Sequence, residues 1–188
     1  IAKACNGSYH GSEAQANQEV QSIFTDSRKA AKGGLFVPIK GARVDAHDFI
    51  NQVMEAGALA TLSEKDLGET EFPYIKVESS LQAVKDIAEF YLKQLEIPVV
   101  GITGSVGKTS TKEMIASVLS EKYCVLKTEG NFNNEIGLPL TVFNLRKEHE
   151  VAVLEMGISH FGDMEPLADG LGQQVACDAG EDDDGTRQ

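Results

Sequence analysis

Apolar positions recur along this chain in two periods, and the two periods alternate. Leu81, Val84, Ala88, Tyr91, Leu92 and Leu95 fall three and four residues apart, which places them on one face of a helix. Ser79 or Ser80 supplies the cap at its start, and the helix stops before Pro98. Ahead of it lie short apolar runs bounded by turn residues. A turn feeds a strand over 33–39, and further strands are predicted over 58–62 and 74–77. A short helix over 47–56 is closed by Gly57 in a C-cap position. Beyond Pro98 the alternation resumes with a strand over 99–102 and a helix over 108–122, whose buried stripe is Ile115, Val118 and Leu119. A strand over 123–127, a polar loop over 128–134, a helix starting near Pro139 and a strand over 151–154 follow.

Strand and helix in alternation predict an α/β fold with a parallel sheet flanked by helices. The pattern divides into a unit over 1–95, a second over 96–170, and a tail over 171–188 for which no packed structure is expected. The tail carries little apolar content after Val175 and ends in Glu181-Asp182-Asp183-Asp184-Gly185. The second unit offers only about three strands where parallel domains commonly use five or six, so it reads as unfinished.

Composition narrows the class. With 188 residues, 41% hydrophobic and 24% charged, the chain suits one full domain or two small ones rather than a disordered segment. The net charge of −12 argues against a nucleic-acid binder, which needs a basic surface. It does not argue against a small anionic ligand, since a local nest of N–H groups overrides it. No apolar run approaches the ~20 residues that span a bilayer, so no membrane insertion is expected. The first residues show neither a signal-type apolar stretch nor an initiator Met, and read as starting inside a longer frame. Cysteines at 5, 124 and 177 fit neither a metal knuckle nor a disulfide framework. Cys124, in the run Tyr123-Cys124-Val125-Leu126, reads as a buried thiol, and a reducing cytoplasm is the expected compartment.

The sharpest chemical signal is Thr103-Gly104-Ser105-Val106-Gly107-Lys108-Thr109-Ser110-Thr111, which follows a strand and opens a helix. That is the context of a phosphate-binding loop. Glycines let backbone N–H groups turn inward, and the helix start adds partial positive charge. Lys108 can reach terminal phosphate oxygens and the Thr109 hydroxyl can ligate Mg²⁺. The strict pattern wants a further glycine where Ile102 stands, so the loop is a variant. A plain glycine-rich turn with an incidental lysine is the competing reading.

A second signal is the apolar strand ending in Glu155. Strand C-termini face the ligand crevice in such sheets, where a carboxylate can hold Mg²⁺; a solvated strand end is the alternative. Asn131, Asn133 and Asn134 lie between Gly130 and Gly137 and could hydrogen-bond a ligand, although spacing alone favours an ordinary turn. His160 either enters the crevice beside Glu155 or is a solvated loop histidine. His47 suits the capping or orientation of a helix start better than proton chemistry. Asp26-Ser27-Arg28 is a polar turn by default, although Ser27 and Arg28 could grip a uracil or diphosphate.

Together these motifs resemble the Mur ligases, over roughly 22–167. Asp26-Ser27-Arg28, Gly34-Leu35-Phe36-Val37-Pro38-Ile39-Lys40-Gly41 and Asp45-Ala46-His47-Asp48-Phe49-Ile50 resemble that family's uridine-binding domain. Thr111-Lys112-Glu113-Met114, the segment from Gly130 to Leu140, and Leu154-Glu155-Met156-Gly157 resemble the D-alanyl-D-alanine-adding type rather than the diaminopimelate- or lysine-adding type. The resemblance implies a small N-terminal α/β uridine-binding domain followed by part of a P-loop ATPase domain. It implies an ATP-dependent ligase of peptidoglycan precursor synthesis, with UDP-N-acetylmuramoyl-tripeptide and D-Ala-D-Ala as substrates and ATP and Mg²⁺ as cofactors. By the same resemblance Gly104, Ser105, Val106, Gly107, Lys108, Thr109 and Ser110 hold ATP phosphates, with Asn133 and Asn134 beside them. Lys108, Glu155 and His160 are catalytic, Thr109 and Glu155 hold Mg²⁺, and Ser27, Arg28 and His47 bind the UDP substrate. A cytoplasmic monomer is expected. Ala46 stands where the family usually has Gly. The family pattern stops after Leu167 and its third domain has no counterpart, which reads as a truncated or frame-shifted product. A non-catalytic fragment that binds a UDP-sugar or ATP is the rival expectation.

Overall fold

The computed structural model describes residues 1–157 and the backbone of 174–178. His160, and the acidic tail apart from 174–178, lie outside the described residues. The chain forms two compact units that divide between Ile87 and Ala88, inside the long helix rather than after it.

The first unit contains β1 (Ser8–His10), α1 (Glu13–Ala16), β2 (Ser22–Phe24), β3 (Gly34–Phe36), α2 (Ile50–Glu55), β4 (Ala60–Ser63), β5 (Tyr74–Lys76) and the start of α3 (Ser80–Leu95). Its sheet has the order β1-β5-β4-β3-β2, with β2 to β5 parallel and β1 antiparallel on the edge. Strands this short carry too few residues to show a period, so β1 and β2 do not stand out in the sequence. Leu35, Phe36 and Val37 are wholly buried, and Phe24, Phe36, Ile50, Val53 and Ala58 form one core. The helix expected from His47 opens instead as a 3₁₀ turn over Ala46–Phe49, because the Asp45 carboxylate takes the His47 N–H at 3.0 Å; α2 follows it. Gly57 does close α2, with φ of 103°. Ser79 caps α3, its hydroxyl accepting the Gln82 N–H at 3.2 Å.

The second unit contains the rest of α3, then β6 (Val99–Thr103), α4 (Lys108–Ser120), β7 (Val125–Lys127), α5 (Gly137–Val142), β8 (Val151–Glu155) and β9 (Gln174–Asp178). All strands are parallel, in the order β7-β8-β6-β9. β9 corrects the expectation that nothing in the tail packs: 174–178 lie in register with 99–103 of β6. Its run Val175-Ala176-Cys177 is too short to be distinguished from a loop by pattern, and only an exposed ladder of β6 makes it a strand.

β8 is buried on both faces, which is why its sequence is continuously apolar. Ala152 and Leu154 join Leu92, Leu138, Val142 and Leu145 on one side, and Val151 and Val153 join Ile102 and Ala116 on the other. On α4 the expected stripe is rotated. Lys112 and Ala116 are buried and Ile115 and Leu119 are half-buried, whereas Val118 is 73% exposed. Two residues beyond Ala116, Val118 sits about 200° around the helix at ~100° per residue. Cys124 is exposed, contrary to the expected buried thiol, because it precedes β7 rather than lying inside it. Among the described residues no helix is long and apolar enough to cross a membrane.

Candidate functional site

The segment between β6 and α4 turns through two positive-φ glycines, Gly104 at 127° and Gly107 at 80°. These conformations are open to glycine and costly for other residues. No side chain caps α4, whose N-cap is Gly107, so the helix start keeps its electropositive end for another partner. Ser105, Val106 and Gly107 are exposed. Lys108 curls back within the loop, its Nζ donating to the Gly104 carbonyl at 2.5 Å.

Opposite stands Glu155, the last residue of β8, with 2% side-chain exposure. Its Oε1 accepts from the Thr109 hydroxyl at 3.2 Å and from the Asn133 amide at 2.9 Å. Its backbone N–H donates to the Thr128 hydroxyl at 3.0 Å. Oε2 is buried without a hydrogen-bond partner, although the Lys112 ammonium lies 3.3 Å away as a counter-charge off the hydrogen-bond direction. Three segments thus meet Glu155 at the end of β8: α4 and the loop before α5 at its carboxylate, and the residue after β7 at its backbone N–H.

The asparagine loop divides its labour. Asn133 reaches Glu155, and its carbonyl takes the Gly157 N–H at 2.7 Å. Asn134 instead spends its side-chain oxygen on the N–H groups of Ile136 and Gly137, at 3.3 and 2.7 Å, at the start of α5. Gly137 is required there, since a Cβ would fall 2.7 Å from the Phe132 Cα. Thr128 and Lys112 were not singled out chemically from the sequence. The available signal for Lys112 was its spacing: four residues after Lys108, it lies on the same helical face.

The residues expected to grip the UDP substrate lie in the first unit, on turns that follow the C-terminal ends of β2 and β3. Arg28 extends into solvent, held bidentately by Asp26 through Nε to Oδ1 at 2.9 Å and Nη2 to Oδ2 at 2.8 Å. Those bonds hold the Asp26 carboxyl down at about 2. Ser27 opens a 3₁₀ turn over Ser27–Lys29, capped by Asp26. His47 is buried. Its Nε2 accepts the Glu64 N–H at 3.1 Å, so the proton sits on Nδ1, 2.6 Å from Asp45 Oδ1. Both ring nitrogens are engaged internally, which matches an orienting role and leaves neither for a ligand. The His47 N–H, then the ring and Lys65, hold the Asp45 carboxyl well below the usual carboxylate range.

The residues at Glu155 suit a magnesium ion. Oxygen ligands around Mg²⁺ at ~2.1 Å are about 3 Å apart when adjacent, close to the 3.2 Å between Thr109 Oγ1 and Glu155 Oε1. Among the described residues no cluster of three His, Cys, Asp or Glu could form an all-protein cage. Mg²⁺ at phosphate sites uses one or two protein ligands and completes its shell with phosphate and water, and this pair fits that chemistry.

Comparison with known proteins gives two family matches. Residues 19–100 match the Mur ligase family, catalytic domain, and 102–176 match the Mur ligase middle domain. The second match continues past Leu167, where the sequence reading ended the family pattern, and takes in part of β9. The UDP-N-acetylmuramoyl-tripeptide–D-alanyl-D-alanine ligase of Bacillus subtilis is 44% identical over 151 residues, covering 79% of this chain and 33% of that protein. The crystal structure of MurF from Acinetobacter baumannii superposes with a TM-score of 0.84 at 34% identity, covering 94% of this chain and 39% of that one. MurF ligase from Thermotoga maritima, solved in complex with ADP, gives a TM-score of 0.73 at 36% identity over 85% of this chain and 36% of its own. The chain spans about a third of the length of the curated relatives it matches.

Proposed function

The chain belongs to the Mur ligase family, and we propose from that premise that it carries the nucleotide-binding machinery of an ATP-dependent ligase. The reaction is the addition of D-Ala-D-Ala to UDP-N-acetylmuramoyl-tripeptide, in the cytoplasm and by a monomer. The terminal carboxylate of the tripeptide takes the γ-phosphoryl group, and the dipeptide amine displaces phosphate from the acyl phosphate to form the amide. The observation that carries this reading is the convergence of Thr109 and Asn133 on Oε1 of buried Glu155, beside a glycine loop with an uncapped helix start.

Each residue has a physical task. Backbone N–H groups over 104–110 receive phosphate oxygens, where the helix start favours negative charge. Lys108 exchanges the Gly104 carbonyl for a phosphate oxygen and offsets the charge that builds during transfer. Thr109 and Glu155 are the protein ligands that would hold Mg²⁺, which would supply positive charge to offset that of the phosphates. Asn133 fixes the Glu155 carboxylate, and Thr128 fixes the backbone beneath it. In the first unit Ser27 and Arg28 take the UDP portion, with Arg28 pre-oriented by Asp26. His47 serves that site by holding the Asp45 turn in place. His160 is assigned to the transfer site on the family resemblance alone.

Lys108→Ala is expected to abolish binding of a fluorescent ADP analogue in the presence of Mg²⁺. Unchanged nucleotide affinity in that variant would refute the loop assignment. Phosphate release from ATP, dependent on both UDP-tripeptide and D-Ala-D-Ala, distinguishes turnover by this chain from nucleotide binding alone.

A further inference from the structure

The phosphate handling described above leaves Lys112 unused. It lies on α4 one turn beyond Lys108, and lysine side chains are almost never fully buried, yet this one has 1% exposure. Its ammonium is 3.3 Å from Glu155 Oε2 and 3.5 Å from Glu113 Oε1. Glu113 is in turn paired with Lys127, a hydrogen bond that lowers the Glu113 pKa. Charges therefore alternate from the surface to the buried acid. Holding an ammonium at such depth costs several kcal/mol of lost hydration unless an opposite charge faces it. Here the opposite charge is the oxygen of Glu155 that has no hydrogen-bond donor, while the other oxygen is engaged by Thr109 and Asn133. α4 thus supplies a contact to each oxygen, Thr109 to Oε1 and Lys112 to Oε2, and the loop adds Asn133 to Oε1.

We propose that Lys112 is a positioning residue for the divalent cation: it anchors Oε2 of Glu155 so that Oε1 stays turned towards the Thr109 hydroxyl. The assignment rests on the phosphate-site reading above. Partners that orient a metal ligand typically change metal affinity by about 10–100-fold when removed. A bare electrostatic role has the opposite sign, because removing a nearby ammonium would ease entry of a divalent cation.

The test uses the full 188-residue chain, a fluorescent ADP analogue and titration with Mg²⁺. Lys112→Met should raise the half-saturating Mg²⁺ concentration about tenfold while leaving nucleotide affinity at saturating Mg²⁺ little changed. Because one partner lost from a buried pair can prevent folding, Glu155→Gln is compared with the double variant Lys112→Met, Glu155→Gln. If Lys112 acts through Glu155, the two should need the same Mg²⁺ concentration. An unmoved or lowered requirement in Lys112→Met, or a further loss in the double variant, overturns the assignment and leaves the phosphate site standing. A parent chain that binds no nucleotide at any Mg²⁺ level overturns the phosphate site and this assignment with it.

Discussion

His47 shows how much one side chain can organise. Its ring joins Asp45 on one side to the Glu64 N–H on the other, and the Glu64 carboxylate accepts the Ser80 N–H at 2.7 Å at the start of α3. Replacing it by Ala leaves the half-buried Glu64 N–H without its acceptor and takes the ring from Asp45, which keeps the backbone N–H of residue 47 and Lys65, so His47→Ala should cost about 2 kcal/mol, read from urea denaturation. The two depressed carboxyls, Asp26 at about 2 and Asp45 lower still, set an acid limit. Both are lowered relative to the roughly pH 4 of a free aspartate, so the unfolded chain binds more protons as pH falls. Their contribution is complete above the unfolded value and is lost on acidification through the folded values. The melting temperature should therefore drop between about pH 5 and pH 2, and Asp45→Asn should flatten part of that drop in thermal melts followed by circular dichroism.

At the scale of the element, α4 and the loop before α5 decide the site. Since Val118 points to solvent and Leu138 is wholly enclosed, a truncation has opposite consequences at the two. Val118→Ala should stay within about 0.5 kcal/mol, whereas Leu138→Ala should cost about 2–5 kcal/mol, both read from chemical denaturation. Gly137 is a sharper probe of function. A methyl there meets the backbone of Phe132 at 2.7 and 2.8 Å, and that backbone cannot yield without moving Asn133. Gly137→Ala should weaken Mg²⁺-dependent nucleotide binding well before it unfolds the chain, which titration beside a melting curve would reveal. The periodicity of α4 marked a helix correctly but put Val118 inside. Several apolar residues within two turns leave the phase open, and burial of Lys112 beside Glu155 sets it.

For the molecule as a whole, the two units predict two separate footprints. In hydrogen exchange, ADP with Mg²⁺ should protect the backbone near 102–112, 128–137 and 151–157, whereas UDP should protect 26–29 and 40–49; protection of the same segments by both would contradict the division of labour. The α/β class, the parallel sheets, the glycine turn between β6 and α4 and the family were all legible in the chain. Each rests on residues close together in sequence: a strand followed by Gly-Lys-Thr, apolar runs at a fixed spacing, a carboxylate closing a strand. What could not be read were the pairings between distant residues. That Asn133 rather than Asn134 meets Glu155, that Lys112 lies against it 43 positions earlier in the chain (155 less 112), that His47 has no free nitrogen and that 174–178 complete a sheet edge all depend on which surfaces meet. Local pattern settles backbone conformation because its energetics act over a few neighbouring residues. The partner of a buried charge is settled only when packing excludes water and leaves it one counter-charge within reach.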